Sequence, residues 1–279
     1  MNIFLGLIIK MNKNNSWMAL IIEGDDLSRE IVTSYLEKKS SGILNLSAST
    51  TIYFQNTNQK EIENIIKTKS NIEKFEWKKV YKEDWTANWK PFFKKKNINN
   101  EVEIIPSWEN SDSNSDMIVI KIDPGMAFGT GHHETTEMMI EAMLEFYKNS
   151  MSVLDLGTGS GILSILAYKL KSKKIIAIDN DSEIKNNFKE NMKLNNAKVE
   201  LKIKSCLNMK DFNFDLVLAN INKNVLIKFL SKLKRRNNII ILSGFLKSDY
   251  KDIFNIISQI GYEVVKKYNK KEWLCLVIK

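Results

Sequence analysis

The chain has 279 residues, 43% of them apolar and 27% charged, which supplies a sizeable core and excludes disordered and collagen-like chains. No apolar run approaches the roughly 18 residues of a membrane span. The two cysteines, Cys206 and Cys275, form neither a disulfide framework nor a metal cluster by spacing, so a reducing, cytoplasmic setting is expected. The net charge of +9 comes from lysine, since arginine occurs only at Arg29, Arg235 and Arg236; residues 1–110 carry a net +2 and residues 111–279 a net +7. Arginine is the better fork for phosphate and base edges. Its scarcity favours a solvated lysine surface over a nucleic-acid footprint, with docking of an anionic partner as the other reading.

In chain order, residues 1–10 (MNIFLGLIIK) are apolar but too short to span a membrane, and no basic stretch or cleavage site flanks them. They read as an extension ahead of a second candidate start at Met11. Residues 17–22 are strand-like, 28–38 helical through Ile31, Val32, Tyr35 and Leu36, 49–54 strand-like, 59–67 helical and 75–80 strand-like. This alternation predicts a small α+β domain of the ferredoxin-like kind over residues 11–82, serving substrate recognition. Residues 83–98 read as a linker. Its aromatics (Trp85, Trp89, Phe92, Phe93) suit packing on a domain, with stacking on nucleic acid beside Lys94, Lys95 and Lys96 as the alternative. Residues 110–116 read as a surface loop.

From Met117 the pattern becomes a βα alternation. Strands are predicted at 117–122, 152–156, 175–179, 199–203, 215–219 and 239–243, and helices at 134–147, 162–170, 184–194, 225–233 and 250–260. Strands 262–268 and 273–278 flank a polar hairpin loop at 269–272. Repeated βα units predict a Rossmann-like, mostly parallel, doubly wound sheet over residues 99–279, with one antiparallel strand from the terminal hairpin.

The strongest local signal is Asp155-Leu156-Gly157-Thr158-Gly159-Ser160-Gly161, which follows a strand and opens a helix. Glycines there let the backbone turn sharply and approach a ligand. The next strand ends at Asp179, 22 residues after Gly157, where a carboxylate can accept from two ribose hydroxyls. The third glycine comes too early for the G-x-G-x-x-G of a nicotinamide dinucleotide site, which seats a pyrophosphate on the helix N-terminus. An adenosyl ligand with an amino-acid tail carries no phosphate, and Asp155 suits its ammonium. D-x-G-x-G-x-G with Asp179 therefore favours S-adenosylmethionine, with Gly157 and Gly159 beside it. Two more segments converge on that crevice. Residues 123–136 form a second glycine-rich loop running into a helix, which either shapes the methyl-transfer mouth or caps the helix through Glu134 or Thr135. Residues 215–222 form a strand ending at Asn220, whose amide offers a donor and an acceptor for a nitrogen nucleophile, or is a turn asparagine. Adjacent His132 and His133 are not read as metal ligands, and no metal site is expected.

Together the stretches DPGMAFGTGHHETT, VLDLGTGSGILSI, IAIDND, LVLANINKNVL and LSGF resemble the ribosomal protein L11 methyltransferases, from about Tyr81 to Lys279 and more faintly over the first domain. The resemblance implies a seven-stranded methyltransferase sheet and S-adenosylmethionine as cofactor. It implies methyl transfer to lysine ε-amino and N-terminal α-amino groups of L11, with the small domain recognising that protein. By motif position it implies Thr136, Gly157, Asp179 and Asn220 as cofactor contacts, with Phe128 and Gly129 lining the cofactor and Asn220 also catalytic. Many relatives carry Thr-His-Pro where this chain has His132-His133-Glu134, which removes a rigid helix start while leaving an acidic first turn. A monomer is expected, with no membrane partner and no required nucleic-acid contact. RNA or small-molecule methylation, and a non-catalytic ribosome-binding module, stay open as alternatives.

Overall fold

The computed structural model describes residues 16–36, 39–45, 49–54, 57–81, 93–111, 116–124, 129–209 and 211–279, in two compact units divided between Phe92 and Phe93. In the first unit β1 (Ser16–Glu23), α1 (Asp26–Leu36), β2 (Gly42–Asn45), β3 (Ser49–Phe54), α2 (Gln59–Lys69) and β4 (Lys74–Tyr81) follow one another. The strands make an antiparallel sheet in the order β2-β3-β1-β4. Period-2 alternation sends Leu20, Ile22, Ile52 and Phe54 to one face, where they bury against Val32, Leu36, Ile62 and Ile66 of the two helices. Strand β2 is an addition to the strand–helix–strand–helix–strand reading. Four residues, two apolar between a glycine and an asparagine, carry no alternation, and pairing with β3, Ile43 opposite Ile52, specifies the strand instead.

The second unit holds two sheets. Strands β5 (Lys96–Ile98), β6 (Val102–Pro106) and β7 (Ile118–Ile122) form the smaller one, with β5 antiparallel and β7 parallel to β6. The larger is seven-stranded, in the order β10-β9-β8-β11-β12-β14-β13. Its strands are β8 (Ser152–Leu156), β9 (Lys174–Asp179), β10 (Glu200–Ile203), β11 (Leu216–Asn220), β12 (Ile239–Leu246), β13 (Val264–Lys270) and β14 (Trp273–Ile278). Strands β8 to β12 are mutually parallel, and β14 runs antiparallel between β12 and β13. Helices α3 (Glu134–Phe146), α4 (Ile162–Lys169) and α5 (Ile184–Leu194) cover one face, sharing a core with β6 and β7. Helices α6 (Lys223–Leu230) and α7 (Tyr250–Gln259) cover the other through Leu226, Phe229, Ile253 and Ile257.

Three details differ from the pattern in the sequence. Residues 118–122 join the smaller sheet, because β6 supplies their parallel partner. Residues 93–98, read as linker, fall in the second unit, where Lys96–Ile98 pairs with β6. The terminal hairpin turns more tightly than a four-residue loop, because Asn269 and Lys270 still pair with Leu274 and Trp273 and Lys271 takes the left-handed conformation (φ 48°). Residues 1–10, Phe128 and the aromatics at 85, 89 and 92 lie outside the described residues. No helix among the described residues is long and apolar enough to cross a membrane.

Candidate active site

Strand parity decides what meets what at the C-terminal edge of the larger sheet. Val153 of β8, Ile175 and Ala177 of β9, and Leu216 and Leu218 of β11 all point into the core shared with α3, α4 and α5. Counting on by twos, Asp155, Asp179 and Asn220 extend those three rows on the same face. Three polar side chains thus end three neighbouring strands where ligands bind in open α/β sheets.

The turn from β8 into α4 is held by backbone. The N–H groups of Gly157 and Thr158 donate to Ile178 O at 2.8 and 3.0 Å. Gly159 N–H donates to Asp179 Oδ2 at 2.9 Å and Asp181 N–H to Asp179 Oδ1 at 3.0 Å. Each oxygen of Asp179 keeps a further acceptor site. Gly157 sits at φ 69°, and a Cβ on it would lie 2.4 Å from Ile221 Cγ2. Gly244, at φ 93°, is the counterpart from β12: a Cβ there would lie 2.2 Å from Ile221 O. A glycine from the turn after β8 and one from β12 therefore seat Ile221 between them, and Ile221 fixes the residue before it, Asn220.

Among the described residues, two oxygens at this edge are buried without a partner, Asp155 Oδ1 and Asn220 Oδ1. Asp155 Oδ2 by contrast accepts from Thr158 Oγ1 at 2.6 Å and Ser164 Oγ at 2.7 Å. Burial raises the Asp155 carboxyl to a pKa of about 6, the hydroxyls of Thr158 and Ser164 pull it down, and the charge of Asp179 adds to the rise. Asn220 Nδ2 lies 3.5 Å from Thr136 Oγ1, at the start of α3, so the structure brings Thr136 and Asn220 together. Native interiors rarely leave such acceptors unsatisfied. Two of them beside a glycine turn and a strand-tip carboxylate fit a ligand carrying N–H and O–H donors.

The second glycine-rich loop joins this edge at Gly129, whose carbonyl accepts from Ser160 Oγ at 2.5 Å. Phe128 lies outside the described residues. The helix that follows is capped by His133, not by Glu134 or Thr135: its Nδ1 accepts from Thr135 N–H at 3.2 Å. Only an imidazole unprotonated at Nδ1 can do so, and burial lowers the His133 pKa accordingly. His132 instead reaches the carbonyls of Thr130 (3.2 Å) and Lys94 (2.8 Å). The two rings thus do separate structural work.

Sequence reasoning missed an asparagine ladder on α5. Asn191 Oδ1 accepts from Asp123 N–H at 2.7 Å, and its Nδ2 donates to Ser160 O at 3.0 Å and Asp123 O at 3.3 Å. Asn195 grips Lys121 in β7 the same way, accepting from its N–H at 2.9 Å and donating to its carbonyl at 2.6 Å. Asn187 Nδ2 adds a 3.0 Å bond to Asp123 O. The signal was present: asparagines at four-residue spacing, one of them between Phe188 and Met192 on the apolar face.

A seven-stranded sheet with this strand order, a glycine turn after β8 and an acidic tip on β9 define an α/β methyltransferase fold. A family model described as ribosomal protein L11 methyltransferase (PrmA) matches residues 10–279. The chain is 35% identical over 208 residues to a Clostridium perfringens (strain SM101) protein named ribosomal protein L11 methyltransferase, an alignment covering 73% of this chain and 66% of that one. It is 36% identical to a protein of that name from Caldicellulosiruptor saccharolyticus, covering 74% and 68%. A solved ribosomal protein L11 methylase from Lactobacillus delbrueckii subsp. bulgaricus superposes with a TM-score of 0.63 at 29% identity, over 67% of this chain and 98% of that one. The chain belongs to the ribosomal protein L11 methyltransferase family. It spans just under two thirds of the length of the Clostridium perfringens relatives.

Proposed function

We propose that the protein transfers methyl groups from S-adenosylmethionine to amino groups, lysine ε-amino and N-terminal α-amino, of ribosomal protein L11. The observation that carries this reading is the meeting of a glycine turn, Asp179 and the two unsatisfied oxygens of Asp155 and Asn220 at one sheet edge. Asp179 would take the ribose hydroxyls, Asp155 the ammonium of the amino-acid tail, and Gly157 and Gly159 the space beside them. Thr136, Asn220 and Gly129 would complete the cofactor contacts, with Phe128 assigned by motif position. When bound, the cofactor supplies an electrophilic methyl on a cationic sulfur.

The accepting amine must be neutral. A free lysine has a pKa of about 10.4 and an α-amine about 7.7–8.0, so holding a lysine neutral near pH 7 costs roughly 4 kcal/mol. Among the described residues at this edge the two carboxylates, Asp155 and Asp179, are assigned to the cofactor, which leaves orientation and exclusion of water as the chain's contribution toward the amine. Asn220 Oδ1, buried and without a partner among the described residues, can accept an N–H of the amine and so aim its lone pair. The first unit, with its βαββαβ order, is read as a ferredoxin-like domain that recognises the protein substrate, and the enzyme is taken as a cytoplasmic monomer.

The test is transfer of labelled methyl to isolated L11 and, separately, to ribosomal RNA. Labelling of L11 with loss of most turnover in Asn220→Ala, at unchanged circular dichroism, is the expected result. Labelling of RNA alone would transfer the assignment to nucleic acid, and full turnover by Asn220→Ala would remove that residue from the chemistry.

A further inference from the structure

We infer that Asn191, outside the cofactor contacts named above, is a positioning residue that locks the cofactor turn; the inference rests on the reading of that turn as the S-adenosylmethionine site. Ser160 lies in the middle of the turn, fully buried, and is gripped from two directions. Its carbonyl accepts from Asn191 Nδ2 at 3.0 Å, and its hydroxyl donates to Gly129 O at 2.5 Å. The same Asn191 amide accepts from Asp123 N–H at 2.7 Å and donates to Asp123 O at 3.3 Å. One side chain thus ties the residue just beyond β7 to the residue between Gly159 and Gly161.

The carbonyl of Ser160 is the one the turn can least afford to leave free. Gly159 and Gly161 on either side sit at φ 52° and 85°, a left-handed conformation that glycine visits easily but does not hold by itself. Gly159 must keep its N–H on Asp179, because that bond aims the carboxylate. Asn191 is fully buried between Phe188 and Met192, so no water can replace its amide. An amide is suited to this place, since it offers an acceptor and two donors without charge.

The ladder supplies its own control. Asn195, one turn further along α5 and buried, makes the same two-point grip on Lys121 but touches no residue of the turn. Asn191→Leu and Asn195→Leu each take the side-chain partner from a partly buried backbone N–H, of Asp123 or Lys121, and from a backbone C=O, of Ser160 or Lys121, so they should both lower the melting temperature. Only Asn191→Leu should speed amide exchange across residues 159–164 of the ligand-free protein and weaken S-adenosylhomocysteine binding by calorimetry, each about tenfold. Asn195→Leu should leave both near the wild-type values. Equal effects of the two variants, or normal exchange and affinity in Asn191→Leu, would overturn the assignment. If Asn191→Leu does not fold, Asn191→Asp carries the test, because it keeps the acceptor for Asp123 and loses the donor to Ser160. If the wild-type protein fails to bind the nucleoside, the cofactor reading falls, while the exchange contrast still decides whether Asn191 holds the turn.

Discussion

The turn after β8 and the outer face of α3 are both rich in polar side chains, and they hold them in opposite ways. On α3 the carboxylates of Glu134, Glu137, Glu141 and Glu145 fall in one stripe. They meet Lys271, Lys96 and Lys270, Lys270 again, and Lys266 with Tyr268. Glu137 and Glu145 each face two donors, several of the acids are partly open to solvent, and salt screens them. At the turn the groups are fewer, with Asp155 and Asp179 buried and held in fixed geometry: Asp155 by Thr158 and Ser164, Asp179 by the N–H groups of Gly159 and Asp181, while two glycines seat Ile221. Partly open, salt-screened pairs mark the region that only has to stay attached. Buried contacts of fixed geometry mark the region proposed to present particular atoms to a ligand.

Substitutions should separate the two regions by magnitude. The largest loss is expected from Gly244→Ala, which places a methyl 2.2 Å from Ile221 O on a left-handed backbone. A cost of roughly 3–5 kcal/mol should appear in the urea midpoint, with displacement of Asn220 abolishing cofactor affinity. A midpoint within experimental error of wild type would show that Ile221 is not seated between the glycines.

Next comes Asp179→Ala, which removes the proposed ribose partner and takes the Gly159 N–H's acceptor away. Calorimetry should register a loss of roughly 2–3 kcal/mol in S-adenosylmethionine binding with secondary structure retained. Unchanged affinity would place the nucleoside elsewhere.

The third effect is a pH dependence. Burial raises the folded-state pKa of Asp155 from 3.8 to about 6. Between those values the folded protein binds more protons than the unfolded chain. Asp155 therefore contributes its full stability below pH 4 and loses it as the pH rises through about 6, a change on the order of 3 kcal/mol. His133 works the other way: its lowered pKa makes it cost stability as the pH falls below about 6.5. The comparison of wild type with Asp155→Asn cancels the histidine. Asp155→Asn should gain stability relative to wild type from pH 5 to pH 7.5 in urea titrations while binding the cofactor more weakly. A difference that stays flat across that range would mean the carboxylate is not desolvated.

The smallest effect belongs to the ion-pair face. Glu145→Gln breaks an exposed pair with Lys266 at 2.9 Å, and should shift stability by no more than about 0.5 kcal/mol and vanish in high salt. A loss as large as that of Asp179→Ala, in either stability or binding, would erase the contrast between the regions.

How far these regions could be read in the sequence follows the same division. Asp155, Gly157, Asp179 and Asn220 were legible because each sits at a fixed offset from a strand with a clear apolar run. The structure places Asp155, Asp179 and Asn220 on one face of three adjacent strands. Strands β5 and β6 were not legible. Lys96–Ile98 is too short and polar to stand out, and Val102–Pro106 is buried on both faces without alternation. The place of β7 followed from that gap, since its partner was missing from the pattern. Asn191 and Asn195 showed only as polar residues at four-residue spacing on a helix; that spacing does not name their partners, which are backbone groups more than 30 positions away.

The position of β14 between β12 and β13 has a consequence for synthesis. Strand β13 is made before β14 but borders no other strand of the sheet, so a growing chain has nowhere to dock it until residues 273–278 have been made. Until then β12 presents a bare row of N–H and C=O groups, an invitation to pair with another nascent chain. The hairpin must arrive as a unit, and truncation within Trp273–Ile278 should yield aggregates instead of a slightly shorter folded protein.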